Sequence, residues 1–257
     1  MDQRKVGRVA WMVLHSLSEI LDRSSRPKTM KCKIIHDLMM CMSQVFPCKK
    51  CRDGIRMTWQ KPGGGCDVKG SMFWFHSLVS HKVAANQGKS EPVQSIESAR
   101  SQYEKKYVRL VDTQAWRVYL VSFVYAVTTN CTKMCETLIS EGHGNREKAH
   151  INFENRLMNF LRVVKAIDPS IPMPRFKKDS DCNQIFYGAY DWEKQLLDRN
   201  MFGKPNETRE RHLCARVNSK HYVLERFPGN LCGKKSCHGA CEKCDKVAIQ
   251  MIHQEKK

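Results

Sequence analysis

Cys48 and Cys51 stand two residues apart behind Pro47, with Lys49, Lys50 and Arg52 around them. At the start of a helix this spacing places the two sulfurs about one turn apart, close enough to join as a disulfide. The helix N-terminus and the neighbouring cations favour thiolate, so the pair is expected to have a lowered pKa and to exchange readily. Alone, a Cys-x2-Cys pair is equally half a zinc site, a thioredoxin-type motif or a chance spacing. No βαβ pattern surrounds it, which counts against thioredoxin. A second cluster holds Cys232, Cys237, Cys241 and Cys244, with His238 among them. Soft ligands this close together suit tetrahedral zinc. Cys241 and Cys244 also read as a shuttle disulfide, and incidental structural cysteines are the third reading. Cys32, Cys41, Cys66, Cys131, Cys135, Cys182 and Cys214 are scattered and are expected mostly to pack as small hydrophobes. Cys131 and Cys135 share a helix face, so packing is the first expectation there and a disulfide to another helix the second.

The elements that must position these residues are helical. Val6, Val9, Ala10, Val13, Leu14, Leu17, Ile20 and Leu21 carry a helical apolar period over residues 6–22. A second helix is predicted over 28–45, stopped by Pro47, and a third from Cys48 towards Trp59. After the Pro62-Gly63-Gly64-Gly65 break a fourth is predicted over 70–85, and residues 88–92 read as a linker. Residues 116–128 and 153–167 are the clearest periodic stretches beyond it, and the chain turns polar and basic after Arg175. The predicted class is all-α, divided into residues 1–92, a helical extension over 93–175, and a basic cysteine-containing region over 176–257.

Neighbours of the cysteine pair narrow its chemistry. Trp11 and His15 lie four residues apart on one helix face, and His76, Val79 and Lys82 follow at steps of three on a later helix. The order Trp-x3-His, helix, Phe-Pro-Cys-x2-Cys, His-x2-Val-x2-Lys resembles the Erv/Alr family of FAD-linked sulfhydryl oxidases over roughly residues 4–90. The resemblance implies a bundle of four main helices holding FAD, with Cys51 as the flavin-proximal sulfur and Cys48 as the sulfur that meets substrate. It implies that Trp11 and His15 pack against the nucleotide, that His76 contacts its adenine side, that Lys82 stands near its phosphates, and that Arg8 assists. Two departures are plain. Ser77 and Ser80 occupy the family's asparagine positions, and Phe73 replaces a cysteine that elsewhere staples this helix. The divergent motif and the extension resemble versions encoded by large DNA viruses, which implies a host-cytoplasmic or virion setting.

Charge and length bound the partners. The 257 residues carry a net charge of +18 from 44 basic and 26 acidic side chains. Such a surface favours anions, including phosphate-bearing cofactors and nucleic acid, although no single-sign tract marks a nucleic-acid arm. No apolar run is long enough for a membrane span. His15 interrupts the first apolar stretch and no small-residue cleavage site follows, so no signal peptide is expected. The expected partners are protein dithiols and oxygen, with a homodimer or an intrachain pseudo-dimer. Ala115-Trp116 faintly echoes Ala10-Trp11, but Leu120 stands where a histidine would be, and an unrelated extension is the favoured reading. The competing class is a basic zinc-stabilised binding module with Cys48 and Cys51 as ligands.

Overall fold

The computed structural model describes residues 3–59, 67–86, 88, 95–176 and 181–202. Among these the protein is all-α. The helices are α1 (Gln3–Arg23), α2 (Lys28–Val45), α3 (Lys49–Trp59), α4 (Val68–Ala85), α5 (Ile96–Asp112), α6 (Trp116–Thr128), α7 (Cys131–Ser140), α8 (Arg146–Ile167) and α9 (Cys182–Asp198). None is long and apolar enough to cross a membrane. The cysteine cluster at 232–244 and the 203–257 region lie outside the described residues.

Their ends follow local chemistry. Asp67 caps α4 by accepting from the Gly70 amide, Ser95 caps α5 through the Ser98 amide, and Asn145 caps α8 through the Lys148 amide. A Cβ on Gly70 would meet the Asp67 carboxylate, so a larger residue there would push this capping side chain off the helix end. Asp181 and Gln184 cap α9 reciprocally, each side chain accepting from the other's backbone N–H.

One apolar core runs through α1 to α9, and burial of its aliphatic and aromatic faces is the main force holding the helices together. α1 packs on α4, α5 and α6, and α2 packs on α3 and α8. The second half therefore lies directly on the first, α6 against α1 and α8 against α2, with Phe46, Phe123 and Phe160 meeting across the seam. α6 is apolar almost all round and central, as such a composition demands. Arg117 is buried within the second half. It donates to Asp168, Ser170 and the Met201 carbonyl and so ties α6 to the ends of α8 and α9. Burial disfavours the Asp168 charge, but the Ser170 and Arg117 hydrogen bonds outweigh it and hold this carboxyl below its usual range.

Ion pairs fasten α5 across the α1–α4 pair. Arg23 reaches Asp112, Arg100 reaches Asp67, and Lys69 lies among Glu19, Asp22 and Glu104. The 88–92 linker was the last feature expected before Trp116, so α5 is an addition to the predicted bundle. α9 is a second addition, in a stretch expected to have little periodic structure.

Candidate functional site

α1 and α4 bring Trp11, His15 and His76 together. The Trp11 indole lies flat on the His76 imidazole, with ring centroids 3.9 Å apart and planes 17° from parallel. His15 Nε2 is 2.9 Å from His76 Nδ1, so one imidazole donates and the other accepts. Packing from α4 and α5 holds this geometry. His15 stacks on Tyr107 at 4.2 Å and 10°, and the Phe73 ring meets the His15 ring at 4.7 Å. Phe73, standing where the resembled family has a cysteine, thus serves as a wall of the histidine pocket.

The cluster is neutral. Burial, then the charges of His76 and Lys106, hold His15 well below its ordinary range. Burial and the Lys106 charge bring His76 down to about 4. His15 is 1% exposed, and its Nδ1 is a buried polar atom without a hydrogen-bond partner among the described residues. A nitrogen left in this state costs about 1–3 kcal/mol relative to a bonded one. At the open rim stand two cations, Arg8 from α1 and Lys106 from α5. Burial and the Arg8 charge lower the Lys106 ammonium, and neither side chain has an ion-pair partner among the described residues. Tyr103 completes the rim, stacked near His76 at 6.2 Å. Tyr103, Lys106 and Tyr107 were not foreseen. Their spacing of three and four along one face was the available signal.

The remaining expected residues sit apart from these rings. Val79 is partly buried against the core. Lys82 is exposed and donates to Thr58 Oγ1 at 2.8 Å, joining α4 to the far end of α3. Trp59, next to Thr58, meets Phe75 edge-on, and Phe75 in turn touches Trp11. The C-terminal end of α3 therefore reaches the cluster. Cys51 and Cys48 are at the other end, about 12 Å and about 16 Å from Trp59 along the axis at 1.5 Å per residue.

Cys48 caps α3 with its sulfur, which accepts from the Cys51 amide at 3.2 Å, while its carbonyl accepts from Arg52. Both are half-buried free thiols. The expected lowering of the pair's pKa is corrected at Cys51. Burial, then the hydrogen bond and charge of Cys48, push its thiol up to about 12, against the Arg52 charge. The cations that should have favoured thiolate are directed elsewhere. Lys49 pairs with Asp53 and Glu141, and Arg52 donates to the Phe46 carbonyl.

Among the described residues no metal set forms at Cys48 and Cys51; the one grouping of metal-ligand type is Cys131, Cys135 and Cys182. Cys131 and Cys182 form a disulfide between the starts of α7 and α9, so the second of the two expectations for that helix face holds and packing alone is corrected. An open cavity of about 570 Å³ lies away from both the cysteine pair and the histidines, between the end of α8 and α9, lined by Lys165, Pro172, Met173, Arg175 and Arg199. It contains none of the residues expected to do chemistry, and its volume alone gives it no claim over the histidine cluster. Compared with known proteins, the chain matches no family model, no curated protein and no solved structure.

Proposed function

We propose that this chain is a FAD-linked sulfhydryl oxidase acting on protein dithiols. The observation that carries the reading is the α1–α4 cluster, with Trp11 flat on His76, His76 bonded to His15, and Arg8 and Lys106 at the rim without an ion-pair partner among the described residues. Stacking faces beside free cations suit a nucleotide, whose base offers a π-face and whose phosphates offer charge. The unpartnered His15 Nδ1 fits the same group, since it requires a hydrogen-bond partner that the described residues do not supply. Trp11, His15 and His76 would hold the nucleotide, with Arg8 and Lys106 at its phosphates. This moves the phosphate role from Lys82, which is occupied with Thr58, to Lys106.

The residues at the other end of α3 do the thiol chemistry. Starting from a Cys48–Cys51 disulfide, a substrate thiolate attacks Cys48 Sγ, and Cys51 leaves with the bonding electron pair and takes up a proton. A second substrate thiolate attacks the substrate sulfur of the mixed disulfide, which releases the oxidised substrate and leaves Cys48 as thiolate. Two electrons then reside on the Cys48 and Cys51 pair, the thiol form present in the structure. FAD, when bound, would supply the electron acceptor between this pair and oxygen, with hydrogen peroxide as the product.

Oxygen uptake with a small dithiol tests the reading. Cys48→Ser and Cys51→Ser should each abolish uptake while flavin content stays at the wild-type level, since neither sulfur touches the aromatic cluster. Uptake at the wild-type rate in both variants would refute it.

A further inference from the structure

Three sulfurs meet where α7 and α9 begin. Cys131 is the first residue of α7, Cys182 is the first of α9, and Cys135 lies one turn along α7. Cys131 and Cys182 are bonded, with Cα atoms 5.5 Å apart. Cys135 is a buried free thiol 3.9 Å from the Cys131 sulfur, and all three sulfurs lie within 4.8 Å of one another. The group belongs to neither the histidine cluster nor the Cys48 and Cys51 pair.

Two kinds of chemistry use three sulfurs at this range. In thiol–disulfide exchange, the attacking sulfur approaches along the axis of the bond it breaks. A line from Cys182 through Cys131 to Cys135 would put the outer sulfurs about 6 Å apart, a bond of ~2 Å plus the observed contact. They are closer than that, so the sulfurs form a triangle and Cys135 is not placed for displacement at Cys131. A triangle is the arrangement of metal ligation. With Zn–S distances of about 2.3 Å, tetrahedral sulfurs stand roughly 3.8 Å apart, which is the spacing Cys131 and Cys135 already have.

We propose that the chain, when this disulfide is reduced, binds a zinc ion through Cys131, Cys135 and Cys182. A dithiol reductant donates two electrons to the Cys131–Cys182 bond and is itself oxidised to a disulfide. The two sulfurs then separate to ligand spacing, and zinc displaces one proton from each of the three thiols. Two of the three ligands begin helices, where the positive end of the dipole favours thiolate, and Arg146 lies near enough to Cys135 to offset the added negative charge. The fourth tetrahedral position stays open. Both states fasten α9 to α7, by a covalent bond in oxidising surroundings and by the metal in reducing ones. The inference is independent of the oxidase reading.

Zinc uptake by the full-length chain tests it, with Cys232, Cys237, Cys241 and Cys244 replaced by serine so that the tail contributes no thiolate. Zinc should bind at one per chain after phosphine reduction and fail to bind while the disulfide is intact. Adding Cys135→Ser should remove the bound zinc. Equal uptake with and without Cys135, or equal uptake before and after reduction, would overturn the proposal. If the Cys135→Ser chain does not fold, the unsubstituted reduced protein provides the test. Added zinc should slow maleimide labelling of Cys131, Cys135 and Cys182 together, and unchanged labelling of all three would overturn the proposal equally.

Discussion

Trp11 and Trp116 each follow an alanine at the apolar face of a central helix, yet they work in different surroundings. Trp11 is half-buried, lies on an imidazole, and has His15 one turn further on. Trp116 is 1% exposed, and one turn on from it stands Leu120, which has no exposed surface. Leucine closes the core against α1 and α9. Histidine at the corresponding place leaves a ring nitrogen buried without a partner among the described residues and a second histidine held neutral beside it. A core position was thus given over to polarity in one region and sealed in the other. The helix order differs too, since α8 rather than α7 lies on α2. The buried and rim cations differ as well. Arg117 in the second region donates through its two terminal nitrogens to Gln114, Met201, Asp168 and Ser170, with only its Nε unpartnered among the described residues, whereas Arg8 and Lys106 in the first find no acceptor there. Unpaired groups converging at one place mark a region shaped for something other than its own stability.

The contrast can be broken most forcefully at Arg117. Arg117→Met should cost about 1–3 kcal/mol, because it leaves the half-buried Asp168 carboxylate and the Met201 carbonyl without this donor. Urea unfolding should show the loss, and the flavin content of the protein that remains folded should be unchanged. The pair also has a pH signature. Asp168 is depressed in the fold, so its contribution is present above the unfolded carboxylate value and is lost as pH falls below about 4.

The histidine cluster should fail at milder acidity. His15 and His76 are lowered in the fold, so between the ordinary imidazole value and about 4 the unfolded chain binds protons that the folded chain does not. Stability should therefore be full above about pH 6.5 and fall as pH drops towards 4, by up to ~3 kcal/mol from His76 at 1.36 kcal/mol per unit. His76→Gln should flatten the profile in that window, and an unchanged slope would contradict the assigned neutrality. The smallest effect is at the rim. Trp11→Ala should weaken nucleotide binding by about 1–3 kcal/mol, the worth of one stacked base, as read by fluorescence titration with FAD.

How much of this was legible in the sequence depends on which signal each element carries. The predicted 28–45 and 116–128 helices are α2 and α6 to the residue, because unbroken apolar periods and firm stops mark both ends. α5 was missed because its apolar stripe of Ala99, Tyr103, Tyr107 and Leu110 is thin among charged residues whose partners lie on α1 and α4. α9 announced itself only through Asp181-x2-Gln184, a reciprocal cap readable once looked for. In the site, Trp11, His15 and His76 could be named from spacing. Lys106 could not, since an exposed lysine is ordinary until the fold sets it beside Arg8. The pairing of Cys131 with Cys182 across 51 residues depends on where α7 and α9 pack, which no local pattern encodes. The effect of burial on Cys51 is likewise a matter of packing, and it outweighs the flanking charges that were visible beforehand.

The proposal that the α1–α4 cluster is a nucleotide site serving the cysteine pair is read out by the visible absorbance of the purified full-length chain. A bound-flavin band in the blue is expected in wild type and in Cys48→Ser and should be diminished in Trp11→Ala. A colourless wild-type protein that stays colourless after incubation with excess FAD would contradict it.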